Sequence, residues 1–265
     1  MNLLELHGLS VQFGALRAVS DVELAVPEGA FVGLIGPNGA GKTTLIDAVS
    51  GIVPSQGAIT FDGDRIDQLR AFRRARQGLA RTFQSVELFD DLTVRENLLT
   101  AAEPSSLASM LGALVRYRAQ AGPDAVVNET LDLLEISDLA DQLPGALSLG
   151  QRKLVTVGRA MAGRPRLLLL DEPAAGLDTD ESLALGKRLR DVARTGVSIL
   201  LIDHDMGLVL NVCDYIYVME FGQVIAAGTS QEVVGDPRVI TAYLGEEGET
   251  LIEKGETLGE KVVTR

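Results

Sequence analysis

Gly36-Pro37-Asn38-Gly39-Ala40-Gly41-Lys42-Thr43 decides how this chain folds. It follows Ala30-Phe31-Val32-Gly33-Leu34-Ile35, a continuously apolar run of the kind shown by a strand buried on both faces. The segment fits the P-loop pattern and stands where that pattern has to stand, after a buried strand and before a helix. Its glycines let the backbone fold around a phosphate with N–H groups pointing inward, and the following helix adds the positive end of its dipole. Lys42 brings a point charge to terminal phosphates, and Thr43 a hydroxyl to Mg²⁺. Gly36, Asn38, Gly39, Gly41, Lys42, Thr43 and Thr44 are therefore the expected nucleotide contacts. The rival reading, a glycine-rich turn with an accidental lysine, leaves the flanking strand and Thr43 unexplained.

Further along, Leu167-Leu168-Leu169-Leu170 and Ser198-Ile199-Leu200-Leu201-Ile202 have the same apolar character, each leading through polar residues into a helical pattern. Such alternation predicts an α/β fold with a parallel, helix-flanked sheet. The first of these strands delivers Asp171 and Glu172 at its end, the position of a Walker B element. An Asp there can hold the Mg²⁺ shell, and the adjacent carboxylate can orient and polarise an attacking water. Alone, an Asp-Glu pair after a strand reads as a solvated loop; beside a P-loop it reads as chemistry. Pro173 is expected to hold Glu172 in an extended backbone and so fix the direction of its carboxylate.

Leu3-Leu4-Glu5-Leu6 and Val22-Glu23-Leu24-Ala25-Val26 alternate as half-buried strands do, with Pro27-Glu28-Gly29 as a turn. Residues 93–143 read as a helical insertion: Thr93 and Glu96 have capping-box spacing, and helical stretches follow around 107–121 and 124–135. Thr229 and Glu232 repeat that spacing, and Asp236-Pro237 opens a last short helix to Leu244. The tail, 245–265, has six glutamates against three basic residues and reads as mobile.

With 265 residues, 46% of them hydrophobic, the chain can bury a sizeable core. Its net charge of -13 argues against coating DNA or RNA, while leaving room for a local basic site. One cysteine, Cys213, excludes an intramolecular disulfide and suits a reducing compartment. Two histidines, His7 and His204, exclude a His-rich metal site. No apolar run reaches the ~18 residues of a membrane-spanning helix. Glu5, without a basic lead-in, argues against a secretory signal, and the expectation is a soluble, cytoplasmic protein.

Leu147-Ser148-Leu149-Gly150-Gln151, one helix upstream of Asp171-Glu172, resembles the signature motif of ATP-binding cassette (ABC) ATPases. The order of the other elements fits the same family. Gln84 in Arg81-Thr82-Phe83-Gln84 falls at the Q-loop, Ala175-Gly176-Leu177-Asp178 resembles the D-loop, and His204 in Asp203-His204-Asp205 the switch histidine. The resemblance covers about residues 2–244. It implies a P-loop NTPase of the ABC ATPase fold: a RecA-like core sheet, an N-terminal antiparallel β-subdomain, and a helical signature subdomain at approximately 85–163 within a domain of residues 1–244. It also implies catalytic roles for Glu172, His204 and Gln84, Mg²⁺ contacts from Thr43, Gln84 and Asp171, and nucleotide contacts from Ser148, Gly150, Gln151 and Asp178. Ser148 is an N-cap type residue, so its hydroxyl and the N–H groups after it make an anion-binding end. In ABC ATPases that end faces the γ-phosphate held by the other subunit, which implies a composite site and a working dimer. Leu149 departs from the commoner glycine of the motif, whereas Gly150 is kept. Phe13 stands about where the family places an aromatic that stacks on adenine; a core phenylalanine of an N-terminal strand is the alternative. His7 has no such context and reads as structural.

Within the family the chain looks most like the larger ATPase subunit of branched-chain amino-acid-type importers. Ala80 to Gln84, Leu92 to Leu98, Asp171 to Leu177 and Val239 to Gly245 carry that likeness. The resemblance implies ATP hydrolysis that drives solute uptake, with ATP and Mg²⁺ as cofactors. Its implied partners are a second ABC ATPase subunit, identical or related, two transmembrane permease subunits, indirectly a solute-binding protein, and no nucleic acid. The implied location is the inner face of the cell membrane, held there by the permeases. Urea and lipopolysaccharide-export ATPases share the likeness, and a soluble ABC ATPase of translation or DNA maintenance is the rival class. Between Asp64 and Arg81 the chain holds six arginines against two aspartates. That excess reads either as a solvated helix face or as a docking surface for the permease.

Overall fold

The computed structural model describes residues 1–82, 87–102 and 122–244; Gln84, the stretch expected to be helical at 107–121 and the tail 245–265 lie outside them. Strands β1 (Asn2–Phe13) and β2 (Leu16–Pro27) form a long antiparallel hairpin. With β4 (Gln56–Phe61) and β5 (Asp64–Arg65) they make a four-stranded sheet ordered β2-β1-β4-β5. Each hairpin strand is 12 residues long, well beyond the alternating stretches at 3–6 and 22–26. Register shifts between Leu6 and Gln12 break the alternation that would have marked the rest.

The second sheet is ordered β10-β9-β3-β8-β7-β6. Its strands are β3 (Phe31–Ile35), β6 (Leu79–Arg81), β7 (Leu167–Asp171), β8 (Ser198–Ile202), β9 (Tyr215–Glu220) and β10 (Gln223–Gly228). All pair in parallel except β10, which returns antiparallel to β9. Among the described residues the α-helices are α1 (Lys42–Ser50), α2 (Ala71–Arg76), α3 (Val94–Ala102), α4 (Pro123–Leu133), α5 (Leu149–Ala162), α6 (Thr179–Arg194), α7 (Met206–Val212), α8 (Ser230–Val234) and α9 (Pro237–Leu244). Among the described residues no helix is long and apolar enough to cross a membrane.

The unbroken apolar runs exist because both faces of the second sheet are covered. Phe31, Ile35, Leu168, Leu170, Ile199 and Leu201 face one core with α3, α4 and α5. Val32, Leu34, Leu167, Leu169, Leu200 and Ile202 face another, shared with the first sheet and with Leu45, Ile46 and Val49 of α1. Each such side chain contributes roughly 1.5–3 kcal/mol by leaving water. The helix carrying Lys42 is thereby clamped between two sheets. The capping boxes expected at Thr93 and Thr229 form, with Thr93 N–H donating to Glu96 Oε2 at 2.8 Å and Thr229 N–H to Glu232 Oε2 at 2.7 Å. Because β3, β8 and β7 are neighbours and parallel, their carboxyl ends bring the P-loop, His204 and Glu172 to one edge.

Candidate nucleotide site

The P-loop leaves β3 through Gly36 at φ 150, where a Cβ would lie 2.1 Å from Met219 O of β9. It enters α1 through Gly41 at φ 98, where a Cβ would lie 2.4 Å from Ala18 O of β2. No other residue fits either position, so the loop is wedged between the two sheets. No side chain caps α1 at Gly41, which leaves the N–H groups of its first turn available to an anion. Lys42 is 7% exposed, and its Nζ donates to Gly36 O at 2.7 Å and Pro37 O at 3.1 Å. Burial pulls the Lys42 ammonium down from its usual pKa, and the carboxylates of Glu172, Asp171 and Asp203 oppose that pull. Thr43 is exposed and Thr44 half-buried on the first turn of α1, with Asn38 and Gly39 exposed on the loop.

Asp171, at the end of β7, is 4% exposed, and Arg81 of β6 donates to its Oδ2 at 3.0 Å. The other guanidinium arm reaches Asp47 Oδ1 of α1 at 2.5 Å. Burial raises the Asp171 pKa, and Arg81 lowers it in opposition. Arg74 is also internal, donating to Ala48 O and Val49 O at 2.8 and 2.7 Å and to Leu69 O and Asp67 O at 2.9 and 3.0 Å. Two of the arginines in the 64–81 run are therefore held inside the fold by these partners and are not part of a solvated helix face.

Glu172 is not extended: its φ is 48, in the left-handed region despite Pro173. The conformation is held from several sides. Glu172 N–H donates to Ile202 O of β8 at 2.8 Å, Glu172 O accepts from Ala175 N at 3.2 Å, and Lys153 Nζ stands 3.5 Å from the same oxygen. The Glu172 side chain is 20% exposed, with His204 Nδ1 3.9 Å from its Oε2. Behind His204 lies Asp203, fully buried, accepting from the N–H groups of His204 (2.8 Å), Asp205 (3.0 Å) and Ala174 (3.1 Å). Asp205 caps α7 and takes a 2.6 Å hydrogen bond from Ser182 of α6. Sequence reasoning assigned no role to Asp47, Arg81 or Asp203. The signal available was Asp203 itself, a carboxylate placed directly after an apolar strand.

Ser148, Gly150, Gln151 and Asp178 form a separate group at the starts of α5 and α6. Ser148 Oγ accepts from Gln151 N at 3.2 Å while Gln151 Oε1 accepts from Ser148 N at 2.9 Å. Asp178 and Glu181 make the equivalent box on α6. Leu149 lies over Gly176, where a Cβ would meet its Cδ2 at 3.2 Å, so the departure from glycine packs the start of α5 onto the turn before α6. Phe13 closes β1 at 49% exposure, which removes the core-phenylalanine alternative, and Ala18 of the same hairpin touches the P-loop. His7 pairs with Glu23 across that hairpin at 3.0 Å.

A sequence profile described as "ABC transporter" matches residues 19–175, and one described as "Branched-chain amino acid ATP-binding cassette transporter" matches residues 223–249. The high-affinity branched-chain amino acid transport ATP-binding protein BraF of Pseudomonas aeruginosa is 40% identical, over 92% of this chain and 98% of its own. LivG of Escherichia coli K12, with the same description, is 37% identical over 92% and 98%. The lipopolysaccharide export system ATP-binding protein LptB of Haemophilus influenzae is 36% identical over 93% and 99%. Among solved structures, a nucleotide-free ATP-binding cassette from an ABC transporter superposes with a TM-score of 0.80 at 31% identity, covering 93% of this chain and 100% of its own. A cassette in its ADP conformation gives the same TM-score, identity and coverage. With its two sheets, its P-loop between them and these relatives along nearly its whole length, the chain belongs to the ABC transporter family of ATP-binding proteins.

Proposed function

We propose that this chain is the ATP-hydrolysing subunit of a membrane importer, coupling dimer closure on ATP to uptake of branched-chain amino acids or a related amide or amino-acid solute. The observation that carries the reading is the convergence of Lys42, Asp171, Glu172, Asp203 and His204 on one sheet edge. The transport descriptions of BraF and LivG point to the solute class.

In this reading residues 1–244 are one cassette, with the region of α3 to α5, approximately 85–163, as its helical signature subdomain. Lys42 exchanges the carbonyls of Gly36 and Pro37 for the terminal phosphates of ATP, and the first N–H groups of α1 take the remaining oxygens. Thr43 and Asp171 are hard oxygen donors of the kind Mg²⁺ takes alongside phosphate and water, and Gln84 is the third donor proposed. When bound, Mg²⁺ neutralises charge on the β- and γ-phosphates. Glu172 orients the attacking water and takes its proton, and His204 donates to the γ-phosphate, so that ATP and water yield ADP and phosphate. Phe13 stacks on adenine. Ser148, Gly150, Gln151 and Asp178 face the nucleotide held by a second ATPase subunit. The permease docks on the face around the Q-loop and the helical insertion, where a cavity of about 480 Å³ beside β6 offers Glu87, Leu88, Phe89 and Arg159, and it holds the chain at the inner face of the membrane. The likeness to LptB supports lipopolysaccharide export as a second reading.

The test is recovery of Glu172→Gln protein from detergent-solubilised membranes with ATP and Mg²⁺. Import predicts two polytopic permeases and a second ATPase. Lipopolysaccharide-export partners would favour the second reading, and ribosomal or DNA-maintenance partners would sink both.

A further inference from the structure

Lys153 is a buried charge that none of the roles above uses. It sits on α5, five residues past Ser148, at 6% exposure. Among the described residues its hydrogen bond is the 3.5 Å contact to the backbone oxygen of Glu172, and it makes no ion pair within 4.0 Å. Burial lowers its pKa, and Asp203 and Glu172 are the charges that oppose this. A buried ammonium so lightly compensated is a poor way to stabilise a core, since an apolar side chain of similar volume does at least as well.

Its target is the residue whose backbone is least at ease. Glu172 has φ 48, and a non-glycine residue stays there only when its surroundings over-determine it. The bond from Glu172 N–H to Ile202 O and the one from Ala175 N–H to Glu172 O come from β8 and from the turn that follows Glu172, both on the same sheet edge. Lys153 adds a restraint from α5, whose N-terminus carries Ser148.

We infer that Lys153 is a positioning residue that links the signature helix to the backbone of Glu172. The inference rests on the proposed function. If Ser148 faces the ATP of the partner while Glu172 serves the ATP of its own chain, Lys153 connects two sites through one side chain. Closing the dimer presses on α5, Lys153 carries that to Glu172 O, and the carboxylate is brought to its working direction. Two composite sites joined in this way are energetically coupled, which appears as a steeper-than-hyperbolic dependence of turnover on ATP.

The experiment compares Lys153→Met and Lys153→Arg with the unaltered full chain in ATPase rate, Hill coefficient, labelled-ATP affinity and melting temperature. Lys153→Met is expected to keep its melting temperature and to bind ATP within about twofold. Its kcat should fall about 10–100-fold, the scale of a slightly misplaced catalytic group, with a Hill coefficient near one. Lys153→Arg keeps a donor and should recover most of both. Wild-type kcat and steepness in Lys153→Met overturn the inference, leaving a structural lysine. If Lys153→Met does not fold, Lys153→Gln carries the same comparison. An ATP-dependent dimer of Glu172→Gln is the control: its absence overturns the parent reading and this inference together, and its presence confines any failure to Lys153.

Discussion

The phosphate-loop edge of the sheet and the start of α5 are finished in opposite ways. At the first, charge is buried and braced by several elements: Lys42, Asp171 and Asp203 are 7%, 4% and 0% exposed, and Arg81 spans α1 and β7. At the second, Ser148 and Asp178 are exposed, and their bonds stay inside their own capping boxes. A capping box commits about 1 kcal/mol and only one helix, whereas a buried ion pair commits every element it joins, and breaking it costs about 3–5 kcal/mol. The loop and the carboxylates are thus assembled within one chain. The start of α5 offers its donors outward, as half of a site completed by another molecule would.

Glu172→Gln tests the braced edge most severely. Turnover should fall about 10²–10⁴-fold, the contribution of a positioned general base, with ATP still bound. Phosphate release measures the first and labelled ATP the second, since the chain has no tryptophan to report on binding. Near-normal turnover would falsify the water-orienting role. Lys42→Ala should cost about 10²–10³ in turnover, the loss of one electrostatic donor, and should weaken ATP binding to the single chain as well. Ser148→Ala sharpens the contrast: ATP binding by one chain should be unchanged, while ATP-driven dimerisation, followed by size-exclusion chromatography, is lost. Weakened binding in the monomer would erase the distinction between the two regions.

Most of this architecture was legible because the sheet is covered on both sides, so β3, β7 and β8 read as unbroken apolar runs. The P-loop was legible because its glycines answer to backbone contacts with Met219 and Ala18 that no larger residue permits. What stayed hidden depends on chain-distant partners. Arg74 and Arg81 look alike in sequence to the exposed arginines beside them, and only their seats against the end of α1 and against Asp171 make them internal. The left-handed Glu172 was misread because the rule for residues before proline is local, while the hydrogen bond to Ile202 O that holds it comes from another strand. Arg74→Met should therefore destabilise the fold by about 2–4 kcal/mol, as buried carbonyls lose their donor, and urea unfolding will show it.

Phe13 gives the smallest effect and the finest discrimination. It lies at neither end of the comparison but on the hairpin whose Ala18 backs the P-loop, half exposed at 49%. A ring so placed adds little to the core, so Phe13→Ala should leave urea stability within about 0.5 kcal/mol, as surface substitutions do. Stacking on a base is worth about 0.5–1.5 kcal/mol, so ATP affinity should fall roughly two- to twelvefold. Because Phe13 would meet the base and not the phosphates, inorganic triphosphate should compete for the site equally well in the variant and the parent. Equal losses for ATP and triphosphate would mean that the hairpin had shifted the P-loop through Ala18, and the ring would then be supporting the loop and not reading the nucleotide.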